Sequence, residues 1–383
     1  MRRRLGLDSP ERFVGLSAHD FAQALGASEV ILSRAGKVAG SPTVPSRFVL
    51  RIAALAGGRW KAVAARGDNY LALARALDAP AVVTAAKRPE PSPPLDVRPV
   101  KLSVTDIESW LRDPYTIYAK HVLRLHPFDP IDTPPGVADR GSAIHDAIGN
   151  FTKTFASALP ADPVKELVAL GETAFAPLND FPEARAFWWP RFLRIAQWFA
   201  AFEHERRPAL AAIFGEVQGA LAIPVGPKIF TLSGRADRIE RRADGSYTIV
   251  DYKTGAPPTE PQVRTGLSPQ LTLEAAMLRG GGFEDKGIAP GSVAELLYVR
   301  LKGGEPPGEP KEIKFKDTTP DAQADRALAK LTGIALKFLI DGEAYRSLVH
   351  PMWAKHYGDY DHLARVKEWA ASGGESEFEG PPA

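Results

Sequence analysis

The run Ile249-Val250-Asp251-Tyr252-Lys253-Thr254-Gly255 reads as a strand that closes on a charged pair and a glycine. Side chains alternate along a strand, so Tyr247, Ile249, Asp251 and Lys253 share one face while Thr248, Val250, Tyr252 and Thr254 share the other. A carboxylate and an ammonium therefore stand side by side. The preceding stretch from Lys228 to Arg241 also has strand character, and Asp244-Gly245 between the two is a hairpin signal. Antiparallel pairing through that turn sets Asp237 almost opposite Asp251.

Two close carboxylates repel, and a fold that keeps them either protonates one or places a cation between them. A divalent cation is the reading chosen here. Mg²⁺ or Mn²⁺ takes oxygen ligands from one or two carboxylates together with water and substrate phosphate, and supports in-line attack at phosphorus. Lys253 would then orient the nucleophile and offset charge on the phosphorane. An isolated Asp-x-Lys reads as a surface ion pair, here between Asp237 and Lys253. What sets this stretch apart is an aspartate on each paired strand, a lysine two residues after the second, and Thr254-Gly255 ending the strand.

The composition narrows the ligand chemistry. The 383 residues contain no cysteine, which excludes disulfides, thiolate zinc sites and cysteine-ligated iron–sulfur clusters. Any metal must rest on oxygen or imidazole. Lys and Arg (48) nearly balance Asp and Glu (46), so charge alone neither demands a nucleic acid nor locates one. A hydrophobic share of 44% and a charged share of 25% describe an ordinary globular chain, and at roughly 100 to 200 residues per domain the length suggests two or three domains. The start Met1-Arg2-Arg3-Arg4-Leu5 has no apolar stretch behind it and no run approaches a membrane span, so a cytoplasmic, membrane-free protein is expected.

The chain reads as four segments. Residues 1–86 form a small α/β piece with helices at 18–25 and 69–77 and a strand at 29–32; residues 87–100 are a Pro-rich linker. A second domain spans 101–371, and 372–383 form a disordered tail. Within the second domain a helix opens near Ser103, with Thr105 as cap and Glu108 closing a capping box, and ends at Pro114. Ile144, Ile148, Phe151 and Phe155 mark one face of a helix beginning near Arg140-Gly141, with His145 on its border. A Trp- and Phe-rich helix follows at 185–207, whose rings read as core packing in preference to a DNA-stacking platform. Strands are expected at 220–225, 228–241, 247–254 and 294–301, and helices at 269–278, 320–339 and 361–371.

Gly234-Arg235-Ala236-Asp237-Arg238-Ile239-Glu240 followed by Ile249-Val250-Asp251-Tyr252-Lys253-Thr254-Gly255 resembles the RecB-type branch of the PD-(D/E)XK nucleases. The resemblance implies an α/β fold with a central mixed sheet flanked by helices, and a Mg²⁺- or Mn²⁺-dependent deoxyribonuclease. It implies Asp237, Asp251, Lys253 and Gln270 as catalytic residues, with Gln270 standing in Ser268-Pro269-Gln270-Leu271. It also implies His145, Asp237, Asp251 and the backbone carbonyl of Tyr252 as metal ligands, because Gly141-Ser142-Ala143-Ile144-His145 matches that branch's Gly-x-x-x-His setting. Taken alone, His145 reads as a helix-boundary histidine. Glu216 matches the first acidic position, though an exposed glutamate before a strand reads the same way. Four residues after Gln270 the branch often has tyrosine, and this chain has Glu274.

The stretch from Leu102 through Asp113-Pro114-Tyr115 to His145 further resembles the start of the nuclease domain in AddB-type subunits, and Leu32-Ser33-Arg34-Ala35 with Pro45-Ser46-Arg47-Phe48 resembles the end of their helicase-like region. That likeness implies that 1–86 is a remnant of a helicase-like domain. It also implies an exonuclease acting on single-stranded DNA ends during double-strand-break repair and recombination, cutting the strand that ends 5′, with an AddA-like helicase-nuclease as partner. No Gly-x-x-x-x-Gly-Lys-[Ser/Thr] loop occurs, so no ATP hydrolysis is expected, and Arg34 reads as a surface arginine. Where such domains carry a cluster cysteine before the Pro-Tyr pair, this chain has Asp113, and no iron–sulfur cluster is expected. The rival reading is an inactive nuclease-shaped scaffold that binds DNA or a partner helicase subunit; retention of His145, Asp237, Asp251 and Lys253 argues against it.

Overall fold

The computed structural model describes residues 10–38, 40–79, 81–82, 86–128, 133–347 and 358–370. The chain divides into two units, the first running to Ala86 and the second beginning at Lys87. The first unit holds α1 (Pro10–Ala24), the short antiparallel pair β1 (Lys37–Val38) and β2 (Ser41–Pro42), then α2 (Arg47–Ala56), α3 (Trp60–Ala65) and α4 (Asp68–Leu77). None of α2, α3 or α4 buries a residue. The strand expected at 29–32 does not form: no described strand offers it a ladder, and Val30, Ile31 and Leu32 stay exposed.

In the second unit β3 (Lys101–Ser103) leads directly into α5 (Val104–Arg112) and α6 (Pro114–Ile117). Helices α7 (Val137–Thr154), α8 (Pro163–Ala174) and α9 (Pro182–Arg206) follow, then the long hairpin of β4 (Leu210–Val225) and β5 (Lys228–Arg242), and β6 (Tyr247–Lys253). The chain continues through α10 (Glu260–Arg264), α11 (Gln270–Arg279), β7 (Val293–Leu301), β8 (Gly308–Glu312), α12 (Pro320–Leu339) and α13 (Val366–Trp369). One mixed sheet carries the order β3-β5-β6-β7-β8, with β4 on the other side of β5. β3 is parallel to β5 and β7 to β6, while the β4, β5 and β6 neighbours and the β7–β8 pair are antiparallel.

Alternation along the central strands builds two cores. Tyr247, Ile249, Leu296 and Tyr298 face the layer of α5, α11 and α12, whereas Val250, Tyr252, Leu297 and Val299 face α7, α8 and α9. Most rings of α9 belong to the second core, with Phe192 and Phe199 fully buried, while Phe187 is 59% exposed. The Pro-rich run is fastened to the second unit: Arg98, 3% exposed, donates to the carbonyls of Pro93, Phe338 and Glu343.

Several boundaries differ from the sequence reading for local reasons. Because β3 ends at Ser103, that residue caps α5, and Asp106 rather than Glu108 closes the box by accepting from the Ser103 N–H at 3.1 Å. α7 starts at Val137, which puts His145 in mid-helix. β4 starts at Leu210, ten residues before the apolar alternation begins, since the ladder to β5 carries Gly215, Gln218 and Gly219 along. The helix expected at 361–371 is confined to Val366–Trp369, and the tail expected to be disordered lies outside the described residues.

A buried chain of charges ties α9 to the sheet. Arg238 and Glu203 are fully buried and paired; Arg238 also lies 2.8 Å from Glu240, and Arg206 bridges Glu240 and Glu295 at 2.7 Å each. Removing one partner of such a set strands the others in a dry interior. Arg238→Ala is expected to lower unfolding free energy by about 3 to 5 kcal/mol, read as a shifted urea midpoint at unchanged slope; a shift equivalent to under about 1 kcal/mol would show that the network is solvated. Asp106 gives a second test. Burial opposes its charge, but Lys120 at 2.7 Å and Ser103 hold its carboxyl down at about 2. Its folded value lies below the unfolded one of about 4, so its contribution is complete above that value and is lost as pH falls toward 2. Asp106→Asn should flatten the acid limb of the stability curve between about pH 4 and 2, as followed by thermal melts.

Candidate active site

β5 is shared by two strands on one edge: β3 pairs with residues 231–233 and β6 with residues 238–241. Residues 234–237 have no strand beside them there, and the gap opens into a cleft of about 600 Å³ lined by β3, the first turn of α5, His145, β5, β6 and α11. Gly234 is fitted to the place, since a Cβ on it would stand 3.0 Å from Val104 Cγ2.

Every residue proposed from sequence as catalytic lines this cleft. Asp237 lies one step beyond the last paired residues, Arg238 and Val250, and so falls opposite Asp251. Its Oδ2 accepts the Tyr252 N–H at 2.9 Å and lies 3.6 Å from His145 Nδ1. For Tyr252, then, it is the backbone N–H that the structure shows engaged at the site. Asp251, 1% exposed, meets Lys253 Nζ at 2.8 Å and accepts from Gln270 Nε2. The Gln270 Oε1 in turn accepts from Lys253 Nζ at 2.9 Å, which closes a ring of three side chains. α11 supplies Gln270 from its first residue and Glu274 one turn on.

Glu274 is the residue whose weight the sequence did not show. It is 1% exposed, its Oε1 accepts from Gln270 Nε2 at 3.3 Å, and its Oε2 has no hydrogen-bond partner. Burial, with Asp251 and Asp237 nearby, pushes its carboxyl far above the usual range. Burial likewise pushes Asp251 up to about 7, against the pull of Lys253. Burial works against the Lys253 ammonium too, but Asp251 and Asp237 outweigh it and hold the lysine above its ordinary value. Burial holds the His145 imidazole below its usual value despite Asp237, so at neutral pH it is uncharged with a lone pair to give.

Glu216 stands on β4 across from Asp237 on the opposite edge of β5, which sets Glu216, Asp237 and Asp251 in a row over three strands. It adopts φ 54°, pairs with Arg235 at 3.0 Å, and packs where a Cβ on Gly149 of α7 would have to sit. Inside the cleft, Asp237, Asp251 and Glu274 lie around Lys253; Lys101 and Arg235 also line it, Arg235 being paired to Glu216. Carboxyls crowded so closely that Asp251 and Glu274 are raised are what protons or a divalent cation relieve. The donors are hard oxygens and one neutral imidazole, which fits Mg²⁺ or Mn²⁺. Among the described residues no three His, Asp or Glu side chains form a ready-made cage, because Lys253 and Gln270 hold Asp251 on one side while His145 and Asp237 meet on the other.

Comparison with known proteins bears on the same segment. The family model described as PD-(D/E)XK nuclease superfamily matches residues 101–346. An uncharacterized protein of Rickettsia bellii is 30% identical over 273 residues, 68% of this chain and 32% of its own length. Uncharacterized protein RT0391 of Rickettsia typhi is 32% identical over 207 residues, 53% of this chain and 24% of its own. This chain therefore spans a third or less of the length of these curated relatives. A solved structure titled "Crystal structure of SSO0001" aligns with 60% of this chain and 85% of its own at 13% identity and a TM-score of 0.23. The match begins at β3 and ends beyond α12, so it takes in every strand of the sheet and every side chain of the cleft, and the chain belongs to the PD-(D/E)XK nuclease superfamily.

Proposed function

We propose that this chain is a Mg²⁺- or Mn²⁺-dependent nuclease that hydrolyses phosphodiester bonds of single-stranded DNA as an exonuclease. By the resemblance of its sequence to AddB-type subunits, it would serve double-strand-break repair in the cytoplasm beside an AddA-like helicase-nuclease. The observation that carries the reading is the closed ring of Asp251, Lys253 and Gln270, facing Asp237 in a cleft at the gap along β5. No described helix is long and apolar enough to cross a membrane.

His145, Asp237 and Asp251, with the Tyr252 carbonyl, would hold the cation, which when bound offsets phosphate charge and makes water a better nucleophile. Lys253, kept charged by its carboxylate neighbours, would offer its ammonium to the charge that grows on the phosphate oxygens. Gln270 fixes the lysine by accepting from Nζ, while its amide N–H groups are taken by Asp251 and Glu274. The amide is thereby held against flipping, since the reverse orientation would set donor against donor and acceptor against carboxylates. Burial of Asp251 keeps bulk water from competing for these contacts.

The purified chain is expected to degrade labelled single-stranded DNA in Mg²⁺ and to stop when the metal is chelated. Asp251→Ala and Lys253→Ala should each lower the rate at least about 100-fold with folding intact by circular dichroism. Undiminished cleavage in either variant would sink the assignment. The scaffold reading takes over if calorimetry detects no Mn²⁺ binding to the wild-type chain.

A further inference from the structure

β6 and β7 are parallel neighbours, and open α/β sheets bind ligands outside the carboxyl ends of such strands. Four cations gather at that rim. Arg140 precedes Gly141, which packs so closely on the end of β6 that a Cβ there would stand 3.1 Å from Thr254 Oγ1. Arg300, the register partner of Lys253 on β7, donates from Nε to the Gly255 carbonyl at 3.1 Å. Lys311 donates from Nζ to the Pro258 carbonyl at 3.3 Å, in the same loop after β6. Beyond the end of β7, Gly303 packs on α9, where a Cβ would stand 2.6 Å from the Arg191 carbonyl oxygen. The Arg191 guanidinium lies over the Phe187 ring at 4.1 Å from its centroid.

Arg206, Arg207, Arg235, Arg238 and Arg279 of the second unit are ion-paired, while Arg98 and Arg194 spend donors on backbone carbonyls. Among the described residues Arg140, Arg191, Arg300 and Lys311 have no carboxylate partner. Arg140 Nε is buried with no hydrogen-bond partner at all. Burial and the nearby charge of Arg191 hold Arg140 below its ordinary value, so the two guanidiniums disfavour one another as they stand. Like charges kept together with donors unspent are the arrangement an anion resolves, and a planar guanidinium matches phosphate in particular.

We propose that this rim binds non-scissile phosphates of the nucleic-acid strand on the Thr254 side of the cleft, with Arg140 and Arg191 holding a phosphate together and Arg300 and Lys311 extending the track. The proposal rests on the nuclease reading for the identity of its ligand, and it assigns the strand a direction of exit that net charge could not give. The two backbone contacts of Arg300 and Lys311 brace the loop between β6 and α10, and each half-buried side chain has further N–H groups to donate. Phe187, exposed beside Arg191, pre-orients that guanidinium by stacking.

The test is binding, not cleavage. Fluorescence anisotropy of a labelled single-stranded oligonucleotide is measured over a salt series in Ca²⁺, with the oligonucleotide checked intact by gel afterwards. Arg140→Gln/Arg191→Gln should weaken binding about tenfold at low salt and reduce the slope of log K against log salt by about 0.7 for each phosphate no longer neutralised. Lys337→Gln, an exposed charge on α12, should leave both unchanged. Arg191→Gln alone repeats the test with α7 untouched. Wild-type affinity and slope in the double variant overturn the proposal, as does a wild-type chain whose binding shows no salt dependence. Neither outcome touches the assignment tested by Asp251→Ala, which is read from cleavage.

Discussion

The open stretch of β5 is the constraint on which the site depends. β5 is long enough, at 15 residues, for β3 and β6 to pair with opposite ends of the same edge. Between them the backbone from Gly234 to Asp237 faces space, and the chain fills that space with side chains rather than a strand. Gly234 admits Val104 and Met277 close to the backbone, while Asp237 reaches across to the Tyr252 N–H that a ladder would otherwise claim. The same gap lets α5, α7 and α11 contribute to one cleft from both faces of the sheet, with His145 coming from one layer and Gln270 and Glu274 from the other.

What was legible in the sequence followed from local rules. Alternation along β6 and the Asp244-Gly245 turn fixed which residues face which core and set Asp237 opposite Asp251, because register in a hairpin is determined within a dozen residues. Gln270 and His145 were placed by likeness to a family, not by pattern. Glu216 needed more: its φ of 54° and the absent Cβ at Gly149 decide that it joins the row, and neither is visible in a run such as Phe214-Gly215-Glu216-Val217. The failed strand at 29–32 shows the converse, since an apolar β-branched run becomes a strand only where another strand accepts its hydrogen bonds.

The cation rim was illegible for a different reason. Arg140, Arg191, Arg300 and Lys311 are scattered over 172 positions of a chain with almost balanced charge, and only the packing of α7 and α9 on the ends of β6 and β7 brings them together. What marks them is the accounting of partners across the fold. The buried network of Glu203, Arg238, Glu240 and Arg206 consumes its cations internally, so guanidiniums clustered without a carboxylate carry information that the total of 48 basic residues does not.

The cleft is held at a cost in stability, and this separates it from the buried network. Around Arg238 each carboxylate has a cation within contact, so the desolvation of the carboxylates is offset where it arises, although Arg238 Nη2 keeps no hydrogen-bond partner. In the cleft Glu274 keeps a buried oxygen with no partner, and Asp251 is driven toward its neutral form by its own burial. An apolar side chain at 274 would relieve that penalty and, by the usual behaviour of buried unsatisfied groups, leave the fold as stable or more so. Packing therefore gives no reason for a glutamate there. Its hydrogen bond to Gln270 does: that contact backs the amide that accepts from Lys253 Nζ, and it would remain if Asp251 gave its oxygens to a cation.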